Sequence, residues 1–148
     1  MKIRISVPSP QYEEVKNELE KHGIEVSDDA ELVLMSADEY PDWIAVRLEK
    51  EHMHIPVSSI IFIESIGHDV LVHTDTQTYQ SAERLTALEN LLDPSGFLRI
   101  SSSVIIARKH VVKIKAAFTQ KFILTLSEGS QVDVTRSYYY IFRKEFGI

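Results

Sequence analysis

The sequence predicts a mainly β protein with short helices, preceded by a small β-α-β piece. The first observation is that apolar and polar residues alternate with a period of two through most of the chain after Trp43, as in half-buried strands. The second is that helical spacing of apolar residues is confined to short stretches. The 148 residues, 44% hydrophobic and 26% charged, are typical of one folded domain, or of a small domain with an appendage.

The N-terminal piece begins with a strand, because residues 2–8 alternate polar and apolar side chains. Ser9 and Pro10 are typical of a helix start, where serine caps free N–H groups and proline fits the first turn. Gly23 supplies the left-handed residue that commonly ends a helix. Such a piece is too small to be stable alone. Further short strands are predicted at residues 24–26 and 31–37.

A boundary is predicted at residues 38–42, where proline and acidic residues interrupt both periodicities. It divides the chain into residues 1–42 and residues 43–148. The second part opens with a hairpin around Lys50, followed by strands at residues 60–65, 69–74 and 77–81 with turns at Gly67 and Asp75. A helix capped by Ser81 follows and stops at residues 93–96. Its buried stripe comprises Ala82, Leu85, Leu88 and Leu92.

The last third of the chain is again predicted as strands followed by one helix. The strands occupy residues 110–118, 121–126 and 131–135, separated by turns. The helix occupies residues 137–146, and the apolar side chains on one side of it are Tyr138, Ile141, Phe142 and Phe146.

Charge is distributed unevenly along the chain, whose net charge is −6. Residues 97–148 contain nine Lys and Arg against three Asp and Glu, whereas the rest of the chain is acidic. This asymmetry is typical of a protein with a polyanionic partner for one face, although a basic surface that merely aids solubility is the alternative.

The residue patterns of common catalytic sites are missing. No Gly-rich phosphate loop precedes a Lys-Ser/Thr pair, and no serine lies in a Gly-x-Ser-x-Gly elbow. His52 and His54 lie on one face of a strand without a nearby third ligand, so two exposed histidines are favoured over a zinc site. We therefore expect that the protein is not an enzyme and that it binds no cofactor, no metal and no small-molecule substrate. Without a secretory signal or a long apolar run, we expect a cytoplasmic protein.

Several motifs in order resemble a known family. The pattern IIFIES-x-G…VLVHT…GFLRISSSVIIARKHVVKI…V-x-V-TRSY is similar to the LytTR domain, a DNA-binding module of bacterial transcription regulators, over about residues 43–148. The matching motif positions are Phe97, Arg99, Ser103 and the apolar triplet 104–106, then Thr135, Arg136, Ser137 and Tyr138.

The resemblance implies elongated antiparallel β-sheets with short helices, and loops that enter successive major grooves of DNA. It implies a first contact at the turn of Gly67, His68 and Asp69. It implies a second contact at Ser101 and Ser102, after Arg99. The third contact would be at Arg136 and Ser137, before the last helix.

The chemistry of these side chains fits such contacts. Arginine can donate two parallel hydrogen bonds to guanine, which makes Arg136 the best candidate for base readout, with a plain surface charge as the alternative. The serines are short donors suited to phosphate or base edges. Arg99 is equally interpretable as a structural ion-pair partner, and His68 as a turn residue. Sequence-independent attraction to phosphate is expected from Arg108, Lys109, Lys113 and Lys115.

Two positions depart from the family pattern and keep a second function open. The usual asparagine after the apolar triplet is Ala107, and position 102, often arginine or asparagine, is serine. The main hypothesis is a sequence-specific regulator that binds duplex DNA as a homodimer. The alternative is a protein–protein module that keeps the fold and sequesters a partner. Residues 1–42 are expected to mediate dimerisation or to contact a regulator, and the resemblance implies a membrane protein in that role.

Overall fold

The computed structural model describes residues 1–7, 9–36 and 40–148. The end of the first predicted strand at Pro8, the end of the strand at residue 37 and part of the predicted boundary at residues 38–42 lie outside these described residues. The chain forms two units, Met1–Tyr40 and Pro41–Ile148.

The first unit is a three-stranded parallel sheet with one helix. Strand β1 lies in the middle of the order β2-β1-β3, and helix α1 connects β1 to β2. A parallel pair needs such a crossover, because its two strands start at the same end of the sheet. Gly23 follows the helix at φ 75°, as expected of a left-handed helix end. The elements are β1 (Lys2–Ser6), α1 (Ser9–Lys21), β2 (Glu25–Val26) and β3 (Leu32–Met35).

Little of the first unit is fully buried. Of its described residues only Ala30 is in the buried class, and helix α1 has no buried side chain. Strand β3 forms one edge of the described sheet and leaves Leu32, Val33 and Met35 exposed. Free edge strands with apolar side chains are normally covered in native proteins.

The second unit contains two antiparallel sheets and confirms the predicted mainly β fold. The larger sheet has the order β5-β4-β8-β7-β6-β10-β9, and the smaller has the order β11-β12-β13. The strands are β4 (Trp43–Leu48), β5 (Glu51–Pro56), β6 (Ile60–Ile66), β7 (Asp69–Thr74), β8 (Thr78–Ser81), β9 (Phe97–Arg99), β10 (Val104–Ala107), β11 (Val111–Ala117), β12 (Lys121–Leu126) and β13 (Gln131–Val134). The helices are α2 (Leu85–Leu91) and α3 (Tyr139–Phe146), with 3-10 turns at Val57–Ser59, Arg108–His110 and Arg136–Tyr138.

Strands β6 and β10 separate two hydrophobic cores. Ile63 and Ile105 face a core that also contains Leu88 of α2. Their neighbours Phe62 and Ile106 face a second core, formed with the smaller sheet and Phe142 of α3. A strand that is buried on both faces is apolar at every position, which explains the continuous apolar runs in β6 and β10.

Three details of the predicted helices are wrong. Ala82, expected in the buried stripe of the helix, is exposed and precedes α2. Ser81 ends strand β8 instead of capping α2, because it still pairs with Val70 of β7, and its hydroxyl accepts a bond from the N–H of Glu83. Helix α2 begins four residues later, at Leu85. Ile141 of α3 is exposed rather than part of the buried stripe. In the described part of the chain, no helix has the length and apolarity needed to cross a bilayer.

Candidate nucleic-acid interface

Two of the predicted contact loops lie at the same end of the larger sheet. Strand β10 runs antiparallel to β6, with Val104 opposite Glu64. The serine turn, residues 100–103, therefore lies beside the β6–β7 turn formed by Gly67 and His68. The N–H of Ser65 donates to the carbonyl of Ser103 at 2.8 Å, which fixes the two turns to each other.

The third predicted loop is fastened to the serine turn. Strand β13 ends at Val134, which is fully buried, and leads into the junction formed by residues 135–137. The N–H of Thr135 donates to the carbonyl of Ile100 at 3.1 Å, although the two residues are far apart in the sequence. We call the β6–β7 turn, the serine turn and the junction together the loop end of the second unit.

The three serines of the serine turn have different environments. Ser101 is only 4% exposed, and its hydroxyl accepts the N–H of Ser103 at 3.1 Å. Ser102 is exposed at the crest of the turn. Burial of Ser101 therefore argues against the direct DNA contact expected from the sequence, because its hydroxyl is used inside the turn. Ser102 is the serine that faces outward.

Arg99 holds the serine turn from within the protein. Its Nε donates to the carbonyl of Ser101 at 2.9 Å, and its Nη2 donates to the carbonyl of Ser102 at 2.6 Å. Its Nη1 forms an ion pair with Glu89 of α2 at 2.9 Å. The side chain is 14% exposed. Of the two interpretations left open by the sequence, these contacts favour the structural one.

Arg136 is presented to solvent at the junction. It is exposed, and among the described residues its guanidinium has no hydrogen-bond or ion-pair partner. Its backbone is fixed by the 3-10 turn Arg136–Tyr138, in which the N–H of Tyr138 donates to Thr135. The turn also shows that Arg136 does not adjoin the start of an α-helix, since α3 begins only at Tyr139. Ser137 is exposed beside Arg136.

The four predicted phosphate contacts divide into two pairs. Lys113 and Lys115 are exposed on one face of β11, two residues apart. Arg108 and Lys109 follow the far end of β10, whose four residues carry them about 13 Å from the serine turn. Arg108 pairs with Glu145 at 3.0 Å, and the Nζ of Lys109 donates to the carbonyl of Ser58 at 3.0 Å. The structure thus does not bring this second pair to the loop end.

His110 belongs to the same far end. Burial lowers the pKa of its imidazole below the ordinary value of 6.5, and the positive charge of Lys109 lowers it further, while Asp75 and Glu128 act in the opposite direction. A histidine with a lowered pKa is neutral at physiological pH. His110 therefore adds no charge to the basic segment.

A polar cleft of about 520 Å³ opens at the loop end. Its walls include His68, Ser102 and Arg84, the last of which is exposed just before α2. Arg84 is not among the predicted contacts, although it is the one Lys or Arg between positions 53 and 96. Asp69 is also exposed, where its carboxylate would repel a phosphate. Among the described residues, no cluster of three His, Cys, Asp or Glu could hold a metal ion.

The chain is similar to a family of DNA-binding domains and to bacterial regulatory proteins. The sequence model of the family described as LytTr DNA-binding domain matches residues 50–147. The transcriptional regulatory protein LytR of Staphylococcus aureus strain N315 is 30% identical over 100 residues, which cover 68% of this chain and 40% of that protein. The sensory transduction protein LytT of Bacillus anthracis is 28% identical over 95 residues, 64% of this chain and 39% of that protein. The chain thus spans about two fifths of these relatives.

A solved structure confirms the fold independently. The LytTr DNA-binding domain of a putative methyl-accepting/DNA response regulator from Bacillus cereus superposes with a TM-score of 0.70 at 24% sequence identity. The match covers 73% of this chain and 99% of that domain.

Proposed function

Because the chain belongs to the LytTr DNA-binding domain family, we propose that its second unit binds duplex DNA sequence-specifically and so regulates transcription in the cytoplasm. The observation that carries the proposal is the convergence of three loops on one end of the unit, with the guanidinium of Arg136 unpaired among the described residues. Binding and regulation, rather than catalysis, are the functions proposed.

Each loop has a role that its chemistry supports. Arg136 donates two hydrogen bonds to guanine in the major groove. Ser102 and Ser137, both exposed, donate to phosphates or base edges. His68 lies on the β6–β7 turn and contacts a major groove adjacent to the one that Arg136 enters. Ser101 and Arg99 shape the serine turn without touching DNA, and Asp69 disfavours phosphate beside it.

The surrounding cations supply attraction that does not depend on sequence. Lys113, Lys115 and Arg84 are exposed, and among the described residues none has an ion-pair partner. Neutralising a phosphate releases a condensed counterion, so each contact contributes to the salt dependence of binding. Arg108 and Lys109 are left out, because they are bound to the protein at the far end.

Salt dependence tests the proposal. In titrations of a DNA fragment from upstream of its own gene at several salt concentrations, log affinity should fall linearly with log salt, by a slope of about −0.9 for each phosphate contact. Lys115→Ala should flatten this slope by about one contact, because the exposed ammonium no longer replaces a counterion. The site preference should stay the same.

Lys109→Ala is the matched control for this measurement. It removes the same charge from the same basic segment, but at the far end, so the slope should equal that of the wild type. A wild-type slope indistinguishable from zero would contradict DNA binding. It would favour the alternative of a module that sequesters a protein partner.

The first unit supports a second element of the proposal, which is that the chain acts as a homodimer. Its strand β3 is uncharged from Leu32 to Met35 and forms an open edge of the described sheet. Pairing with β3 of a second copy would satisfy the edge N–H and C=O groups and cover the exposed apolar side chains. A membrane-protein regulator, which the resemblance implies, is the competing occupant of this edge.

Sedimentation of the full chain tests the dimer. Leu32→Lys should raise the dissociation constant of the dimer by about a hundredfold. The dimer would desolvate one lysine from each copy at the two-fold axis, and each lysine should weaken association by about tenfold. Val112→Lys is the control, since Val112 is also exposed on an edge strand, but in the second unit. A wild-type protein that sediments as a monomer, or equal effects of both variants, would rule out the β3 interface.

A further inference from the structure

The hairpin that joins β11 to β12 points in the same direction as the loop end. Its tip, residues 118–120, lies between the paired residues Ala117 and Lys121. In the same sheet, Phe122 of β12 is opposite Val134 of β13. The tip therefore lies at the end of the sheet where β13 leads into Arg136. The sequence pattern predicts strand and turn in this region and indicates no function for it.

The tip carries the most exposed large apolar side chain in the described part of the chain. Phe118 is 94% exposed, and it belongs to neither hydrophobic core. A ring that remains in water contributes no free energy of burial, so Phe118 does not stabilise the fold. The cations Lys113 and Lys115 lie on β11, the strand that leads into the tip.

The tip is held in place by its surroundings. The Nε2 of Gln120 donates to the hydroxyl of Tyr140 on α3 at 2.8 Å, and Lys121 forms an ion pair with Asp133 at 2.8 Å. Thr119 and Gln120 both have positive φ angles, which L-residues adopt only at a cost and where the surroundings fix the turn. Phe118 is thus exposed on a turn whose conformation is held by these contacts.

The spacing of the strands sets the reach of the tip. Neighbouring strands lie about 4.8 Å apart, so β11 is about 10 Å from β13, and the tip is offset across the sheet from the junction by up to about 10 Å. The major groove of DNA is about 12 Å wide. The sideways offset between the tip and the junction is therefore no larger than the width of one major groove.

We infer that Phe118 packs against the 5-methyl group of a thymine in the groove that Arg136 enters, an inference that rests on the proposed DNA binding. The methyl group of thymine is the apolar group that base edges present in the major groove. A ring without polar atoms gains from contact with it by removing apolar surface from water. Phe118 then acts as a specificity-determining residue for thymine, on a fourth loop beside the three that the family resemblance implies.

The test combines a protein variant with a DNA variant. A duplex is first selected in vitro from random-sequence DNA by the wild-type protein, and each thymine is then replaced by deoxyuridine, which lacks the methyl group. Loss of one methyl contact should weaken wild-type binding about three- to fourfold at one position. Phe118→Ala should bind the thymine duplex about five- to twentyfold more weakly, and should be indifferent to that replacement.

Val112→Ala is the matched control, because it shortens an exposed apolar side chain on β11, away from the tip. It should behave like the wild type on both duplexes. The thermal midpoint of Phe118→Ala should equal that of the wild type, since the ring is outside the cores. Equal responses of wild type and Phe118→Ala to every deoxyuridine would overturn the inference. If the wild-type protein selects no sequence from random DNA, the proposed function is overturned instead. This result would be known before any variant is made.

Discussion

Replacement of Arg99 by lysine should lower both the stability of the second unit and its affinity for DNA. Lysine keeps the positive charge opposite Glu89, but it lacks the planar fork that donates to the carbonyls of Ser101 and Ser102 at the same time. Hydrogen bonds to a charged donor contribute about 1.5–3 kcal/mol each, so we expect a loss of about 2–4 kcal/mol in the free energy of unfolding, measured in denaturant.

The DNA affinity of Arg99→Lys should fall further than this loss of folded protein accounts for. The serine turn is bonded through Ser103 to the end of β6, which leads into the β6–β7 turn, and through Ile100 to the junction. Loosening it displaces Ser102 and the junction together. Affinity is therefore measured at a temperature at which the variant is fully folded, and we expect a weaker specific complex even there.

Glu89→Gln separates the ion pair from the turn. It removes the carboxylate and leaves both carbonyl bonds of Arg99 in place, and because Glu89 is half-exposed its loss should cost less than about 1 kcal/mol. DNA affinity should change little. An Arg99→Lys protein with wild-type stability and affinity would show that the carbonyl bonds of Arg99 do not shape the interface.

The secondary structure could be predicted well from the sequence, and for a physical reason. Strands that bury one face alternate, whereas stretches that bury both faces, such as residues 60–63 of β6 and all of β10, are continuously apolar. Ser81 was misassigned because serine suits a helix cap and a strand end equally, and only its pairing with Val70 decides between them. Ile141 has helical spacing with Tyr138, but the position of α3 against the smaller sheet leaves it exposed.

The predicted site depended on contacts that a sequence does not contain. Arginine is a residue type that commonly contacts DNA. Only the fold, which places Glu89 of α2 beside Arg99, shows that Arg99 is bound within the protein. By charge alone, Arg108 and Lys109 are grouped with Lys113. Strand β10, which lies between the serine turn and Arg108, carries both residues to the far end. The bond from Thr135 to Ile100, which assembles the loop end, joins loops that follow strands of different sheets.

Arg136→Ala should remove a large part of the sequence specificity. A guanidinium that donates two hydrogen bonds to one guanine contributes about 1–3 kcal/mol of discrimination against other bases. The affinity for the selected duplex should therefore fall by about 5- to 150-fold, and the affinity for random duplex should fall much less. Stability should barely change, because Arg136 is exposed and makes few packing contacts.

Arg136→Lys distinguishes base readout from simple attraction. Lysine retains the charge at the junction, so binding to random DNA and its salt dependence should match those of the wild type. It cannot form the two parallel bonds, so the loss on the selected duplex should approach that of Arg136→Ala. Selection from random DNA by either variant should then lose the preference for guanine at one position. If instead the lysine variant keeps the wild-type ratio of specific to random affinity, Arg136 contacts phosphate and the bases are read elsewhere at the loop end.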